Sequence, residues 1–486
     1  MNTILFIGRT GTAHQYGLMS SHMYDVKIIY VAFSQETVKI WASYGIKPDY
    51  VYQDMFKEEY DSCIVTDEIL NTIDNDIIEQ SCGRFNLNAS IQSDRGFALL
   101  SYDESLRSAV AHYNVWKRIF SDIHVDFVAH EPCSLFFNHI CSILCKKQKG
   151  VYSYQISALS DKYEYAYLNA NYDSYDFFEI KRLYKIYSNN NNYIDLNRCQ
   201  DFLKKFREGQ EVFLGGVINR KHSLLKLALS ALKVELHKRI NLKKFNRIYN
   251  NIDYWMCINN NPWEKIKNIL GYKFNHISFL DSIPVGEKFL FYPIHLEPES
   301  TVLYLGDGLY ENQIKLIENI AAALPPGYYL YVKDHPHEYA YRAASDYAKL
   351  LKIPNVRLIN QWIPAKAIIS KSVGVVTLNG TAGFEAMLMG KQVYCFGHNM
   401  YSFMSRVHYI YNIRDLRKCI SDSINTKYET DDDLLPWVMA YLESCHKGYV
   451  ACYTGGPYLK DFDYEQNAKK LAEDMIKYVK LINDIH

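Results

Sequence analysis

Between residues 288 and 397, short apolar runs alternate with helix-length stretches, and this alternation leaves few folds open to the chain. Residues 289–294, 328–332, 356–358, 374–378 and 392–396 read as strands, with helices at 312–324, 364–370 and 382–389. The strand runs are apolar at nearly every position, as in strands buried on both faces of a parallel sheet. Repetition of this kind predicts a doubly wound α/β domain. The first 150 residues repeat the theme. Residues 3–7 and 26–33 read as strands, 8–17 as a glycine-bearing loop opening a helix, and a helix follows from about Gln35. Residues 126–129 form another short strand, followed by His130-Glu131-Pro132 and a helical stretch with Phe136, Ile140 and Leu144.

A chain of 486 residues exceeds the roughly 250–300 at which one core stops growing. The expected division is an N-terminal α/β domain at 1–285 with a basic helical insertion at about 200–250. A second α/β domain follows at 286–460, and a C-terminal segment at 461–486 packs its helix back on the first domain. The insertion carries twelve basic residues, from Lys204 to Arg247, against Asp201, Glu208, Glu211 and Glu235. Leucines interleave with these charges. Such a segment suits an anionic membrane surface or an acidic glycan, and equally a solvated helical insertion packed on its own domain.

Fifty-four basic and fifty-four acidic residues leave no formal charge, which argues against a nucleic-acid binder. The 42 tyrosines suit sugar sites, since each offers a flat apolar face and a hydroxyl, and they equally suit AT-rich coding. The eleven cysteines are scattered. The nearest pair with any regularity, Cys141 and Cys145, has no second pair at zinc spacing. Reduced cysteines are expected, in a protein made and used in the cytoplasm. The opening MNTILFIGRTGT has no basic leader, and no run approaches the roughly 20 apolar residues that span a bilayer.

Three stretches carry chemistry. In VGVVTLNGTAGFEAMLMGKQVYCFG, residues 373–397, a buried strand runs into Asn379-Gly380-Thr381-Ala382-Gly383 and then a helix. Small residues let the backbone approach a phosphate, and the helix start offers free N–H groups. Glu385 reads as a first-turn carboxylate, for ribose hydroxyls or as a cap. In YLYVKDHPHEY, residues 329–339, a strand delivers Lys333, Asp334, His335, Pro336, His337 and Glu338 to the carboxyl edge of a sheet, where ligands of open α/β folds bind. Lys333 and His335 suit a phosphate or a sugar carboxylate, and no third ligand supports a metal site. In FLFYPIHLEPEST, residues 289–301, His295, Glu297 and Glu299 alternate, so an extended chain would point all three to one side, facing an interdomain cleft. A surface loop with solvated acids is the other reading of this stretch.

The order YPIHLEPE, Gln313, LPPGYYLYVKDHP, PNVRLI, TLNGTAGFEA and GKQVYCFG resembles the bacterial capsule and surface-polysaccharide glycosyltransferases, in particular those of 3-deoxy-octulosonate (Kdo) and related ulosonic sugars. The His-Pro pair and the Thr-containing loop also resemble the nucleotide motifs of bacterial sialyltransferases. The resemblance covers about 285–405. To the N-terminal side it reaches only Ser93-Asp94-Arg95. It implies a two-domain GT-B fold and a CMP-sugar donor with no required metal or other cofactor. His335 and Pro336 would hold the nucleotide, with Lys333 beside them. Thr381, with Asn379 and the Gly380 backbone, would hold its phosphate, and Glu385 would lie near the ribose or base. Glu297 or Glu299 would serve as nucleophile or base, although the family pattern has Asp there. His295 joins them as a catalytic candidate. On the acceptor side the candidates are Asp94 and Glu131 for catalysis and His14 and Arg95 for binding a glycan or glycolipid. The implied activity is transfer of an ulosonic or nonulosonic sugar to a capsule or lipopolysaccharide acceptor, peripheral at the inner membrane through 204–247. The alternatives are a UDP-sugar or CDP-polyol donor, or a non-catalytic glycan-binding subunit of a capsule assembly complex.

Overall fold

The computed structural model describes the whole chain apart from residues 1, 163, 172–176, 210–228, 230–231, 236–237, 239–241, 260–261, 307, 337–339, 451–461 and 484–486. It divides into two compact units. One comprises Met1–Asn189, Arg247–Tyr249 and Ala440–His486, the other Asn190–Asn246 and Asn250–Met439. The division differs from the expected boundary at 285. Helix Leu196–Glu208 belongs to the second unit because its buried face, Cys199, Phe202, Leu203 and Phe206, packs there, with Phe206 edge-on to Phe384. Arg207 adds a two-pronged pair with Asp431 at 2.7 and 2.8 Å. This basic residue is thus spent inside the protein, while most of the basic segment lies outside the described residues. From Ala440 the chain rejoins the first unit, so the second domain stops short of 460.

The first unit holds a seven-stranded sheet. Its strands are β1 (Asn2–Gly8), β2 (Val26–Ala32), β3 (Tyr50–Val51), β4 (Phe127–His130), β5 (Val151–Leu159), β6 (Tyr165–Asn171) and, from the chain's end, β13 (His446–Lys447). The order is β13-β6-β5-β4-β1-β2-β3, parallel except for the antiparallel β5–β6 and β6–β13 pairs. No glycine loop follows β1; a helix begins at once, Thr10–Ser20. The C-terminal helix Tyr464–Asn483 places Ala468, Leu471, Ala472, Met475 and Val479 at helical spacing, and they pack with Ile4, Phe6, Tyr16 and Met19. The expected return of this helix to the first unit is therefore observed.

His446 fastens that return. Its ring meets Glu179 at 3.0 Å and Asp474 of the C-terminal helix at 3.6 Å. Burial works against the imidazolium, but the bonds to Asp474 and Glu179 outweigh it and hold the pKa at about 9. Because the folded value lies above the unfolded one, this stabilisation is complete below about pH 6.5 and is lost as pH rises through about 9. The melting temperature of the first unit should therefore fall between pH 7 and 9.5, and His446→Gln should flatten that fall. An unchanged slope in the variant would show that the latch is not stabilising.

The second unit holds six parallel strands: β7 (Lys288–Pro293), β8 (Tyr328–Lys333), β9 (Val356–Ile359), β10 (Gly374–Thr377), β11 (Gln392–Cys395) and β12 (Val407–Tyr409). Their order is β12-β11-β10-β7-β8-β9. Counted from β7 this is 3-2-1-4-5-6 read in reverse, the dinucleotide-fold order, whose ligands bind beyond the carboxyl ends where the order turns back. Here that switch point lies between β7 and β10. Leu290, Tyr292, Leu330, Val332, Val376 and Tyr394 fill the core beneath it. The protein thus has a GT-B-like fold of two doubly wound α/β units with the last helix returned to the first.

Candidate functional site

At the switch point of the second unit, the loops after β7 and β10 meet through His295. Leu378 N–H donates to His295 Nε2 at 3.3 Å, and the Thr377 hydroxyl lies 3.1 Å from the same nitrogen. A nitrogen that accepts a backbone N–H carries no proton, so the neutral ring bears its proton on Nδ1. Burial, with His335 nearby, pushes the His295 pKa down to about 4, so the ring is neutral at physiological pH. His295 is therefore a hydrogen-bond donor rather than the base that its company with two carboxylates suggests.

Thr377 also accepts the Gly380 N–H at 3.2 Å and so shapes the turn into helix Thr381–Leu388. Thr381, expected to hold phosphate through its hydroxyl, is exposed at the helix start; the organising hydroxyl belongs to the buried Thr377. The small residues have local reasons. A Cβ on Gly380 would lie 2.6 Å from His295 Cε1, and one on Gly383 would meet the Tyr401 hydroxyl. Tyr401 in turn bonds the Gly380 carbonyl. Asn379 stands between, half-buried.

Glu385 lies in the second turn of that helix, not the first, so it caps nothing. It is 7% exposed, and its Oε2 has no hydrogen-bond partner among the described residues. Burial raises its pKa to about 7, against the pull of Lys366 and Lys333. Lys333, at the end of β8, is buried, bonds the Gln361 carbonyl at 3.3 Å and has its pKa lowered to about 8 by burial. A buried carboxyl with an unused oxygen beside two lysines is costly unless a ligand's hydroxyls complete it.

Glu297 does not sit with Glu299. The strand ends at Pro293 and the chain turns at Glu297-Pro298, so the expected alternation fails and the three side chains separate. Glu299 stands at the N-cap position of the short helix Ser300–Leu303, without capping it through its side chain. Glu297 instead receives Gln313 Nε2 on one oxygen and Arg342 Nη1, at 3.0 Å, on the other. Gln313 also accepts the His295 N–H at 2.9 Å and donates to its carbonyl at 3.0 Å. Asn312 makes this possible: its side chain caps the following helix and sets Gln313 at the first helical position. Arg342 continues the chain to Asp334 at 2.7 Å, which also takes the Tyr347 hydroxyl and the His335 N–H. One network therefore ties the His295 loop to the His335-Pro336 loop. The sequence pattern marks Gln313, and Thr377 as the first residue of TLNGTAGFEA, without assigning either a task, and does not mark Arg342 at all. His337 and Glu338 lie outside the described residues, and among the described residues no group of three or more His, Cys, Asp or Glu could hold a metal ion.

In the first unit the switch point lies between β1 and β4. Arg9 follows β1 and pairs with Glu131, just after β4, at 3.2 Å. Burial raises the Glu131 pKa, opposed by Arg9 and Arg95. Asp94 is a structural residue: 3% exposed, it accepts the N–H groups of Gly96 and Phe97 and the Phe136 N–H that opens helix Phe136–Lys147. These bonds tie Asp94 to the turn that follows it and to the start of that helix. His14 contacts the Tyr44 hydroxyl at 3.0 Å, away from Arg9 and Glu131 in its hydrogen bonding, and lines a small cavity with Tyr449 and Tyr464.

No disulfide joins any described cysteine, and no described helix is long and apolar enough to cross a membrane. No curated protein matches the chain by sequence. Among solved structures, Thermosulfurimonas dismutans KpsC, a beta Kdo 2,7 transferase, is similar at 14% identity and TM-score 0.31, over 74% of this chain and 89% of that one. A UDP-GlcNAc 2-epimerase from Neisseria meningitidis aligns at 12% identity and TM-score 0.25, over 98% and 100% of the two chains. A glycosyltransferase from Rickettsia africae aligns at 10% identity and TM-score 0.28, over 99% and 98%. The sequence model of the capsule polysaccharide biosynthesis protein family matches residues 218–405, the stretch that carries β7 to β11 with the His295, His335 and Gly380 loops, and it is this family that the chain resembles.

Proposed function

We propose that the protein is a glycosyltransferase that moves a Kdo-type or other ulosonic or nonulosonic sugar from a CMP-sugar to a glycan or glycolipid of a bacterial capsule or lipopolysaccharide. The observation that carries this reading is the convergence at one switch point. The neutral His295, the turn held by Thr377, the start of helix Thr381–Leu388 and the unsatisfied buried oxygen of Glu385 all meet there. The Nδ1–H of His295 and the N–H groups opening the helix suit a phosphate. Glu385 suits the ribose hydroxyls, and Lys333 and His335 suit the remaining negative charge. The match of residues 218–405 to the capsule family supports the same reading. A contact with the inner membrane through 204–247 belongs to it too, supported by the exposed Leu229 and Leu232 beside Lys233.

In the transfer, the acceptor oxygen bonds to the anomeric carbon as the bond from that carbon to the phosphate oxygen breaks, and CMP leaves with the electron pair. The acceptor proton passes to a carboxylate, for which Glu297 is the first candidate and Glu131 the second. A carboxylate beside the anomeric carbon also stabilises its oxocarbenium-like charge. With donors and lysines at the phosphate, no divalent cation is required.

Thermal unfolding with CMP, CDP, UDP, GDP and TDP tests the reading. CMP should stabilise most, by about 2.7 kcal/mol at 100 times its dissociation constant, and transfer should persist in EDTA. A preference for UDP would replace the donor with a UDP-sugar, and no response to any nucleotide would leave a glycan-binding subunit. Activity lost in EDTA and restored by magnesium or manganese would overturn metal independence.

A further inference from the structure

A cavity of the second unit shares a wall with the network that joins the His295 and His335 loops. It encloses about 600 Å³ between helix Asn251–Asn259, the Glu297-Pro298 turn and residues 341–346. Trp255 and Asn259 line it from the helix, with Tyr341, Arg342, Glu297 and Asp346 opposite. The Arg342 side chain is 5% exposed and gives Nε to Asp334 and Nη1 to Glu297. Its Nη2 makes no hydrogen bond to any described residue. A nearly buried guanidinium with one open nitrogen on a cavity wall points to a ligand acceptor group. Glu297, beside it, offers an acceptor, Asn259 an amide and Trp255 a flat apolar ring, while the Tyr341 ring carries the Lys265 ammonium 3.8 Å from its centre. One ring-sized solute matches that set: a hydroxylated sugar. The charge decides which kind. Arg342 faces Glu297 and Asp334 in direct contact, while Asp346 on the same wall is paired with Lys349 at 3.1 Å and Lys265 lies over the Tyr341 ring, so three cations meet three carboxylates. With the charges of the wall balanced, no surplus of cations draws an anionic sugar, and a neutral one suits the cleft.

Resting on the glycosyltransferase reading, we infer that this cleft binds a neutral sugar residue of the acceptor glycan and brings its hydroxyl beside Glu297, two residues from His295. The probes are N-acetyllactosamine and glucuronic acid, an acidic sugar outside the donor class, followed by saturation-transfer NMR on the full chain. N-acetyllactosamine should saturate the wild type. Trp255→Ala and the milder Asn259→Ala should each weaken that signal at least fivefold and leave the CMP thermal shift unchanged, and glucuronic acid should saturate weakly. The inference is overturned if the wild type shows no saturation by the neutral disaccharide, if both variants keep it, or if the acidic sugar saturates as strongly. The two readings fail separately. A CMP shift without cleft saturation removes only the acceptor site, and cleft saturation without any nucleotide shift removes only the transferase reading.

Discussion

Replacing Arg342 with methionine should destabilise the second unit by about 3–5 kcal/mol, the usual cost of removing one partner from a buried ion pair. The expectation rests on burial. The side chains of Arg342 and Asp334 are 5% and 1% exposed and meet at 2.7 Å. With Arg342 gone, Asp334 keeps the Tyr347 hydroxyl and the His335 N–H but no ion-pair partner in direct contact among the described residues. The double variant Asp334→Asn, Arg342→Met should recover part of the loss, because replacing both charges removes the uncompensated one. Urea unfolding of the three variants measures this. A single variant within about 1 kcal/mol of wild type would mean that the network does not brace the His335 loop.

Turnover is where the second large effect should fall. Glu297→Gln is expected to lower it at least about 100-fold, the scale for losing a general acid or base, while CMP still stabilises the variant. Glu297 stands two residues from His295 and is clamped between Gln313 and Arg342, so it is held as an oriented anion rather than a free surface acid. The amide has no charge to offer the reacting centre, and it sets a donor against Arg342. Near-normal rates in Glu297→Gln, with a large loss in Glu131→Gln, would move the carboxylate to the first unit. There, burial raises the Glu131 pKa against the pull of Arg9 and Arg95. Loss of the CMP shift together with turnover would instead show that Glu297 acts by holding the His295 loop.

The strand–helix pattern of residues 288–397 was readable in the chain because fully buried parallel strands leave unbroken apolar runs. Every predicted strand there lies within two residues of an observed one. The antiparallel pair β5–β6 left no such mark, since half of what recommends those residues as strands is the neighbour each pairs with. The candidate loops around His295, His335 and Gly380 were also visible, as polar residues released at strand ends. Their tasks were not. Alternation promised that His295, Glu297 and Glu299 share a side, and a turn at Glu297-Pro298 cancels it. Thr377 reads as one more strand residue until His295 arrives from 82 positions away to meet its hydroxyl. Arg342 has no local signature at all, because its meaning lies in Asp334 and Glu297, brought to it by two different strands. Periodicity and composition act along the chain and so define elements and their edges. Proton positions, ion pairs and cavities depend on distances across the sheet, and those exist only once β7, β8 and β10 lie side by side.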